Sequence, residues 1–354
     1  MKKINWNEKI NEKDYLIAIL IASVIVLSFF VYANFIPKSY SVKKTSVNII
    51  KIIGNCEECF DIDSFASSLA EKNDFEISSE EKLVYDSDEA RKIIEKYEIK
   101  NIPSLIILSS EIDKISLGEG FSTSKDYAVF GNAVPYIDLE TGNVNGLVEM
   151  IEIYPDCKEC KPLSGLKNQL EAIGVKIKNY EAIQDNSEKA SRIIKENAIS
   201  FSPVLLISED IEKYWWIFNS IENSFIKKDN YYILENPLPP YKDLEDKKIK
   251  GKVDITYIEN KSCTDCLNIS KLKTSFQQIG IYIEKEDYLD ISSPKGKTLI
   301  KKYNITEIPT VTLSEEIKYY ESLKNLLGSV GTFEDDEKFI FRKVSSLNAK
   351  YQKI

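Results

Sequence analysis

The sequence predicts an α/β protein built from three tandem copies of one unit of about a hundred residues, preceded by a single apolar span. Three observations predict it. All six cysteines fall into three Cys-x-x-Cys pairs, Cys56/Cys59, Cys157/Cys160 and Cys263/Cys266, whose first members lie 101 and 106 residues apart. Each pair is followed by an X-Pro step that leads into an apolar run: Ile102-Pro103, Ser202-Pro203 and Ile308-Pro309, at 44, 43 and 43 residues past the second cysteine. Between cysteines and proline, helical and β-rich patterns alternate in the same order each time.

The apolar span comes first. Residues 15–37 contain no charge, with Tyr15, Phe29, Phe30, Tyr32 and Phe35 toward the ends, as interfacial aromatics sit. No small-x-small cleavage site stands before Lys38, so the run reads as an uncleaved transmembrane anchor after a tail of residues 1–14. Four lysines precede it (Lys2, Lys3, Lys9, Lys13) and four follow it (Lys38, Lys43, Lys44, Lys51), so charge does not set its orientation. The usual layout of a signal anchor places the large domains outside the cytoplasm.

Each copy then reads as strand, CxxC, helix, strand, helix, proline, strand and hairpin. Val47 to Ile53, Leu147 to Tyr154 and Val253 to Ile258 are β-rich first strands. Leu163, Leu166, Leu170 and Ile173, like Leu267, Leu272, Phe276 and Ile279, have helical spacing. Gly174 and Gly280 lie 14 residues past the second cysteine, where the first copy has Asn73; all three suit a left-handed helix C-cap. Ser104 to Leu108, Val204 to Ile207 and Thr310 to Leu313 are strands behind the prolines. Turns at 227–230 and 334–337 mark the closing hairpins. The domains are thus 46–134, 147–235 and 251–345. Their linkers are 135–146 and 236–250, which share Pro135-Tyr136-Ile137-Asp138-Leu139-Glu140 and Pro240-Tyr241-Lys242-Asp243-Leu244-Glu245. Trp215 and Trp216, beside Tyr214, read as packing between strands rather than as a cofactor site.

Composition removes several function classes. The chain has 354 residues, no histidine and a net charge of −9. Catalysis by histidine and the commonest metal ligand are both excluded. An acidic chain without a basic stripe argues against nucleic acid as a partner. No glycine-rich phosphate loop appears, and no cofactor is expected.

The cysteine pairs carry the chemistry. With the first cysteine at a helix start, the helix N-terminus favours its thiolate. A thiolate attacks a disulfide sulfur, and the second cysteine resolves the mixed disulfide. Glu57 and Glu58 oppose the thiolate of Cys56, whereas Lys158 favours that of Cys157, so the middle pair is the most reactive expected. A proline held cis ahead of a strand presents the backbone of the preceding residue to an extended peptide.

A strand, CxxC, helix and X-Pro step in this order resembles the thioredoxin superfamily, most closely its smaller glutaredoxin-like members, over about residues 46–345. The resemblance implies three thioredoxin-like domains, each a central mixed sheet with flanking helices. It implies Cys56, Cys157 and Cys263 as nucleophiles and Cys59, Cys160 and Cys266 as resolving thiols. Ile102, Pro103, Ser202, Pro203, Ile308 and Pro309 would line the substrate groove. The chain departs from the family between its cysteines, where it has Glu-Glu, Lys-Glu and Thr-Asp. At the family's usual offset for a buried acid stand Ile50, Ile151 and Tyr257, which leaves that general base without a counterpart.

Other readings stay open beside this one. A CxxC is half of a zinc site, but three pairs in three domains do not pair off and no histidine completes them. Each pair is also a short disulfide staple, although so small a loop adds little stability. The expected function is thiol–disulfide exchange on protein thiols and disulfides, with an upstream redox partner the sequence does not identify. The alternative is a non-enzymatic surface or scaffold protein built on degenerate copies of the fold.

Overall fold

The computed structural model describes residues 44–73, 75–347 and 350–354. The expected anchor and its preceding tail lie outside these residues. Among the described residues, no helix is long and apolar enough to cross a membrane. The chain divides into two compact units.

The first unit holds a five-stranded mixed sheet in the order Phe75–Val84, Thr45–Ile53, Ser104–Leu108, Tyr127–Phe130, Phe121–Thr123. Thr45–Ile53 runs parallel to Phe75–Val84 and antiparallel to Ser104–Leu108. A parallel neighbour requires a crossover, and the helix Ile62–Lys72 lies on it. Asp61 caps that helix, its carboxylate accepting from the backbone N–H groups of Asp63 and Ser64. Val47, Ile49 and Ile52 on Thr45–Ile53 are buried with Leu105, Ile106 and Ile107 on the central strand, and the Phe65 and Phe130 rings stack at 4.4 Å.

The second unit contains two more five-stranded sheets with the same topology. One runs Ile177–Gln184, Val148–Tyr154, Val204–Ser208, Tyr231–Leu234, Phe225–Lys228. The other runs Ile283–Asp290, Val253–Glu259, Thr310–Leu313, Phe339–Phe341, Gly331–Phe333. Each has its own core: Val148, Met150, Leu206 and Leu170 in one, Val253, Ile255, Val311 and Phe276 in the other. The hairpin turns fall where the sequence placed them, with Asp229 and Glu337 at positive φ.

The second helix starts alike in all three copies. Ser87, Ser187 and Ser293 cap the helices Asp88–Lys96, Glu188–Glu196 and Pro294–Lys302 by accepting from the N–H three residues on. That residue is always small and buried: Ala90, Ala190 or Gly296. At Gly296 the reason is visible, because a Cβ there would lie 2.2 Å from the carbonyl oxygen of Asp290.

Three expectations change. Gly174 and Gly280 take positive φ, but Asn73 is extended (φ −112°, ψ 150°); its side-chain amide instead donates to Leu69 O at 2.9 Å. Trp215 and Trp216 are 43% and 45% exposed on the short helix Trp215–Ile221, because Tyr214 and Ile217 take its buried positions. The connectors are also more than linkers. Tyr136–Asp138 with Val144–Asn145, and Tyr241–Asp243 with Ile249–Lys250, form hairpins paired to the strands that precede Pro103 and Pro203.

Candidate functional site

All three cysteine pairs are closed as disulfides, Cys56–Cys59, Cys157–Cys160 and Cys263–Cys266, with Cα separations of 5.4, 5.4 and 5.5 Å. None sits at a helix start, contrary to the expectation from sequence. The helices begin at Ile62, Ser164 and Lys271, beyond the second cysteines. The local sequence delays them. Asp61 is the cap of the first. Pro162 disfavours a helical Lys161 in the second. In the third, the Asn268 side chain accepts from Ser270 N at 3.2 Å and holds a turn. The cysteines therefore occupy strand-to-helix turns and receive little from the helix dipole, which acts within the first turn.

The middle pair opens on a cavity of about 430 Å³, lined by Cys157, Cys160, Pro203, Glu152, Tyr154 and Tyr180 among others. Cys157 is partly exposed and Cys160 is 8% exposed. Cys160 N donates to Cys157 Sγ at 3.1 Å. Glu152, 2% exposed, lies inside the strand Val148–Tyr154. Its Oε1 accepts from Leu163 N at 2.8 Å, and its Oε2 accepts from the Tyr180 hydroxyl. Burial, then the bond to Glu152, pushes the Tyr180 hydroxyl well above its ordinary pKa, so it stays a donor.

Glu152 corrects the expectation that no buried acid accompanies the cysteines. It stands one residue nearer to the cysteine than the family offset, so a search at Ile151 misses it. The signal was an acid inside the apolar run Met150-Ile151-Glu152-Ile153. Strand register identifies its counterparts. Glu152 pairs with Leu205, Lys51 with Leu105 and Tyr257 with Val311, each partner two residues past its proline. All three side chains are buried, at 2%, 3% and 0% exposure. Lys51 Nζ bonds Asp63 Oδ1 at 2.8 Å and Glu80 Oε1 at 2.5 Å. Tyr257 donates to Glu286 Oε2 at 3.2 Å and stacks on Tyr288. One position thus holds a cation, an acid and a phenol in the three copies, and only the middle one supplies a carboxylate.

Ile102, Ser202 and Ile308 are buried, and their bonds to Pro103, Pro203 and Pro309 are cis. Pro203 faces the cavity with Cys157 and Cys160. Ser202 Oγ donates to Asp185 Oδ2 at 3.0 Å, which also receives Lys242 Nζ at 2.9 Å. The acid just before the second cysteine meets a lysine from beyond its own domain twice: Glu159 with Lys252 at 3.4 Å, and Asp265 with Lys350. No group of three or more metal-ligating side chains occurs among the described residues.

No known family profile matches the chain. No curated protein matches it either. Among solved structures it is similar to full-length ERdj5, at 10% identity and a TM-score of 0.16, covering 90% of this chain and 44% of that one. It is similar also to human ERp44, at 11% identity and a TM-score of 0.17, covering 89% and 94%. The chain spans under half the length of ERdj5. Its thioredoxin-like fold rests on the strand order repeated three times, with a CxxC turn and a cis-proline in each copy, not on these matches.

Proposed function

We propose that the chain is a thiol–disulfide oxidoreductase acting on protein thiols and disulfides, with Cys157–Cys160 as its principal site. One observation carries this reading: a partly exposed cysteine, a buried one, a buried carboxylate and a cis-proline line a single cavity. In the reducing direction the Cys157 thiolate attacks a substrate sulfur, forming a mixed disulfide and releasing one substrate thiolate, which takes up a proton. Cys160 then gives its proton to Glu152 and attacks Cys157 Sγ. This closes the Cys157–Cys160 disulfide and releases the second substrate thiolate. A dithiol partner must reduce that disulfide before the next turnover. Run backward, the same steps oxidise a substrate dithiol.

The proposal includes an anchor through residues 15–37, which the charge-free span supports, and domains outside the cytoplasm, a placement that follows only the usual layout of a signal anchor. For the first and third pairs a scaffold role has support of its own. Neither copy has a carboxylate at the Glu152 position, and the chain following each repeat bonds directly behind its second cysteine. There Phe60 N donates to Pro135 O and Leu267 N to Lys350 O, both at 2.9 Å.

Reduction of insulin by dithiothreitol, with and without the chain, tests the reading. The intact chain accelerates it and Cys157→Ser removes most of the acceleration. No acceleration by the intact chain, in either the reducing or the oxidising direction, leaves only the scaffold reading.

A further inference from the structure

The middle cysteine turn meets a charge that its own copy does not supply. Glu159 stands between the two cysteines, with Oε2 3.7 Å from Cys157 Sγ. Its other oxygen, Oε1, lies 3.4 Å from Nζ of Lys252, a residue of the third copy. The same Nζ is 3.0 Å from Oε1 of Glu284. Lys252 is thus shared by two carboxylates, one of which borders the reacting sulfur.

The backbone on both sides of Lys252 is fixed. Gly251 N donates to Glu316 Oε2 at 2.6 Å, and Gly251 O accepts from the buried Tyr320 hydroxyl at 2.8 Å. Val253 N donates to Tyr282 O at 3.1 Å. The side chain therefore reaches the cysteine turn of the second copy from a set point at the start of the third sheet.

The preceding copy shows a related arrangement with its parts exchanged. The turn Gly54–Phe60 belongs to the second unit. Glu58, again the acid before a second cysteine, lines one cavity with Leu147 and Lys178. Leu147 follows Gly146 as Lys252 follows Gly251, and Lys178 follows Ile177 as Glu284 follows Ile283. Ile177 and Ile283 pair with Val148 and Val253 in matching register. Leucine and lysine at these two positions in the second copy thus become lysine and glutamate in the third. The lysine changes place, yet both acids keep one nearby.

The charge matters because the cysteines gain little from a helix. Reduction puts a thiolate on Cys157 beside the Glu159 carboxylate, and like charges that close disfavour it. A lysine bonded to that carboxylate, through the oxygen that is not against the sulfur, offsets the repulsion. As a partly exposed ion pair it adds little to stability. Its effect falls on the thiol.

We infer that Lys252 is a positioning residue of the middle site. It holds and neutralises Glu159, so that Cys157 ionises at a lower pH than its own turn allows. The exchange site of the second copy is completed by the third, and its reactivity depends on the contact between them. This rests on the exchange reading for its purpose, but its test involves no exchange.

The test uses the full chain carrying Cys→Ser at Cys56, Cys59, Cys263 and Cys266, so that only the middle pair reacts. Reduced protein is alkylated with iodoacetamide across a pH series, and the rate at Cys157 is read by mass spectrometry. Lys252→Gln moves the midpoint of the profile upward and lowers the rate on its acid limb about threefold or more. Lys252→Arg keeps the charge and holds that rate within about twofold of the parent. Glu159→Gln alone, which removes the carboxylate beside the sulfur, moves the midpoint downward. In the Glu159→Gln background, Lys252→Gln changes the rate less than about 1.5-fold, because the lysine acts through the carboxylate. The other groups near the turn are the same in every variant: Asp156, Lys158 and Lys161 on it, Glu152 and Tyr180 in the cavity, Glu284 and Tyr282 beside Lys252. Circular dichroism confirms that each variant is folded. An unchanged midpoint in either single variant, or an equal effect of Lys252→Gln with and without Glu159, overturns the inference. Alkylation needs no substrate disulfide, so the result stands even if insulin reduction fails, and an unchanged profile leaves the exchange reading in place.

Discussion

The hydroxyl of Tyr180 donates to Oε2 of Glu152 within the cavity that Cys157 and Cys160 line. That bond leaves Oε1 with the backbone N–H of Leu163 and holds the carboxylate in one orientation at 2% exposure. In the proposed exchange this carboxylate, which lines the same cavity as Cys160, receives the proton that Cys160 must lose.

Glu152→Gln tests that role without emptying the site. The amide oxygen still accepts from Leu163 N, but no group is left to take the proton of Cys160. Single-turnover reduction of a substrate disulfide near neutral pH is expected to slow on the order of 10²-fold. Stability is expected to change little. Glu152→Leu, by contrast, leaves Leu163 N buried and unpaired, and is expected to cost about 1–3 kcal/mol in urea denaturation.

Lys51 gives the first unit a pH signature of its own. Burial alone would lower its pKa, but the hydrogen bonds to Asp63 and Glu80 outweigh burial and raise it above 10.5. The bond from Lys51, then that from Lys82, lowers Asp63 below 3.8. A depressed carboxyl contributes stability that is complete above its unfolded pKa and lost as pH falls through the folded one. A raised lysine contributes stability that is complete below its unfolded pKa and lost as pH rises through the folded one. The protection of Thr45–Ile53 against hydrogen exchange, taken relative to the intrinsic rate at each pH, is therefore expected to fall both below pH 3.8 and above pH 10.5. Lys51→Met should flatten both limbs. Its cost at neutral pH is expected to be small, roughly 1 kcal/mol, because Asp63 and Glu80 are half-exposed and take up water.

Tyr214 and Tyr320 fasten each connector to the domain that follows. Tyr214 OH donates to Gly146 O at 2.8 Å and accepts from Lys176 N at 3.0 Å; Tyr320 OH does the same with Gly251 O and Tyr282 N. Tyr214→Phe and Tyr320→Phe each leave two backbone groups without a partner, at an expected cost of about 1–3 kcal/mol. Gly146→Ala and Gly251→Ala are expected to cost at least as much. Both glycines have positive φ, and an added Cβ would lie 2.4 Å from Val134 Cγ1 or 2.5 Å from Pro239 Cβ. Thermal unfolding of the four single variants checks the set.

Much of this was legible in the residues. Three CxxC pairs and three prolines at matched offsets define three sheets of one topology, because a strand, crossover and hairpin with these apolar patterns have few ways to pack. The helix starts were not legible from the cysteines. They are set locally by Asp61, Pro162 and Asn268, which push the turns clear of the helices. Glu152 escaped because an offset borrowed from a family is a register assumption, and register is fixed only when the strand pairs. The strand Gln352–Lys353, which pairs antiparallel with Glu307–Ile308, escaped because two residues of strand have no periodicity to read. Only Tyr351 ahead of it, aligned with Tyr136 and Tyr241, marks it.

The central claim is that the middle pair performs the exchange because its cavity holds a buried carboxylate, Glu152, at the strand position where the other copies carry Lys51 and Tyr257. Three variants, each retaining one cysteine pair and carrying serine at the other two, test it most directly through their initial rates of insulin reduction. The account predicts that the Cys157/Cys160 variant retains most of the intact rate and that the Cys56/Cys59 and Cys263/Cys266 variants fall at least tenfold below it, on the order of what a general base contributes. Equal rates from the three variants, or a faster rate from either outer pair, would contradict it.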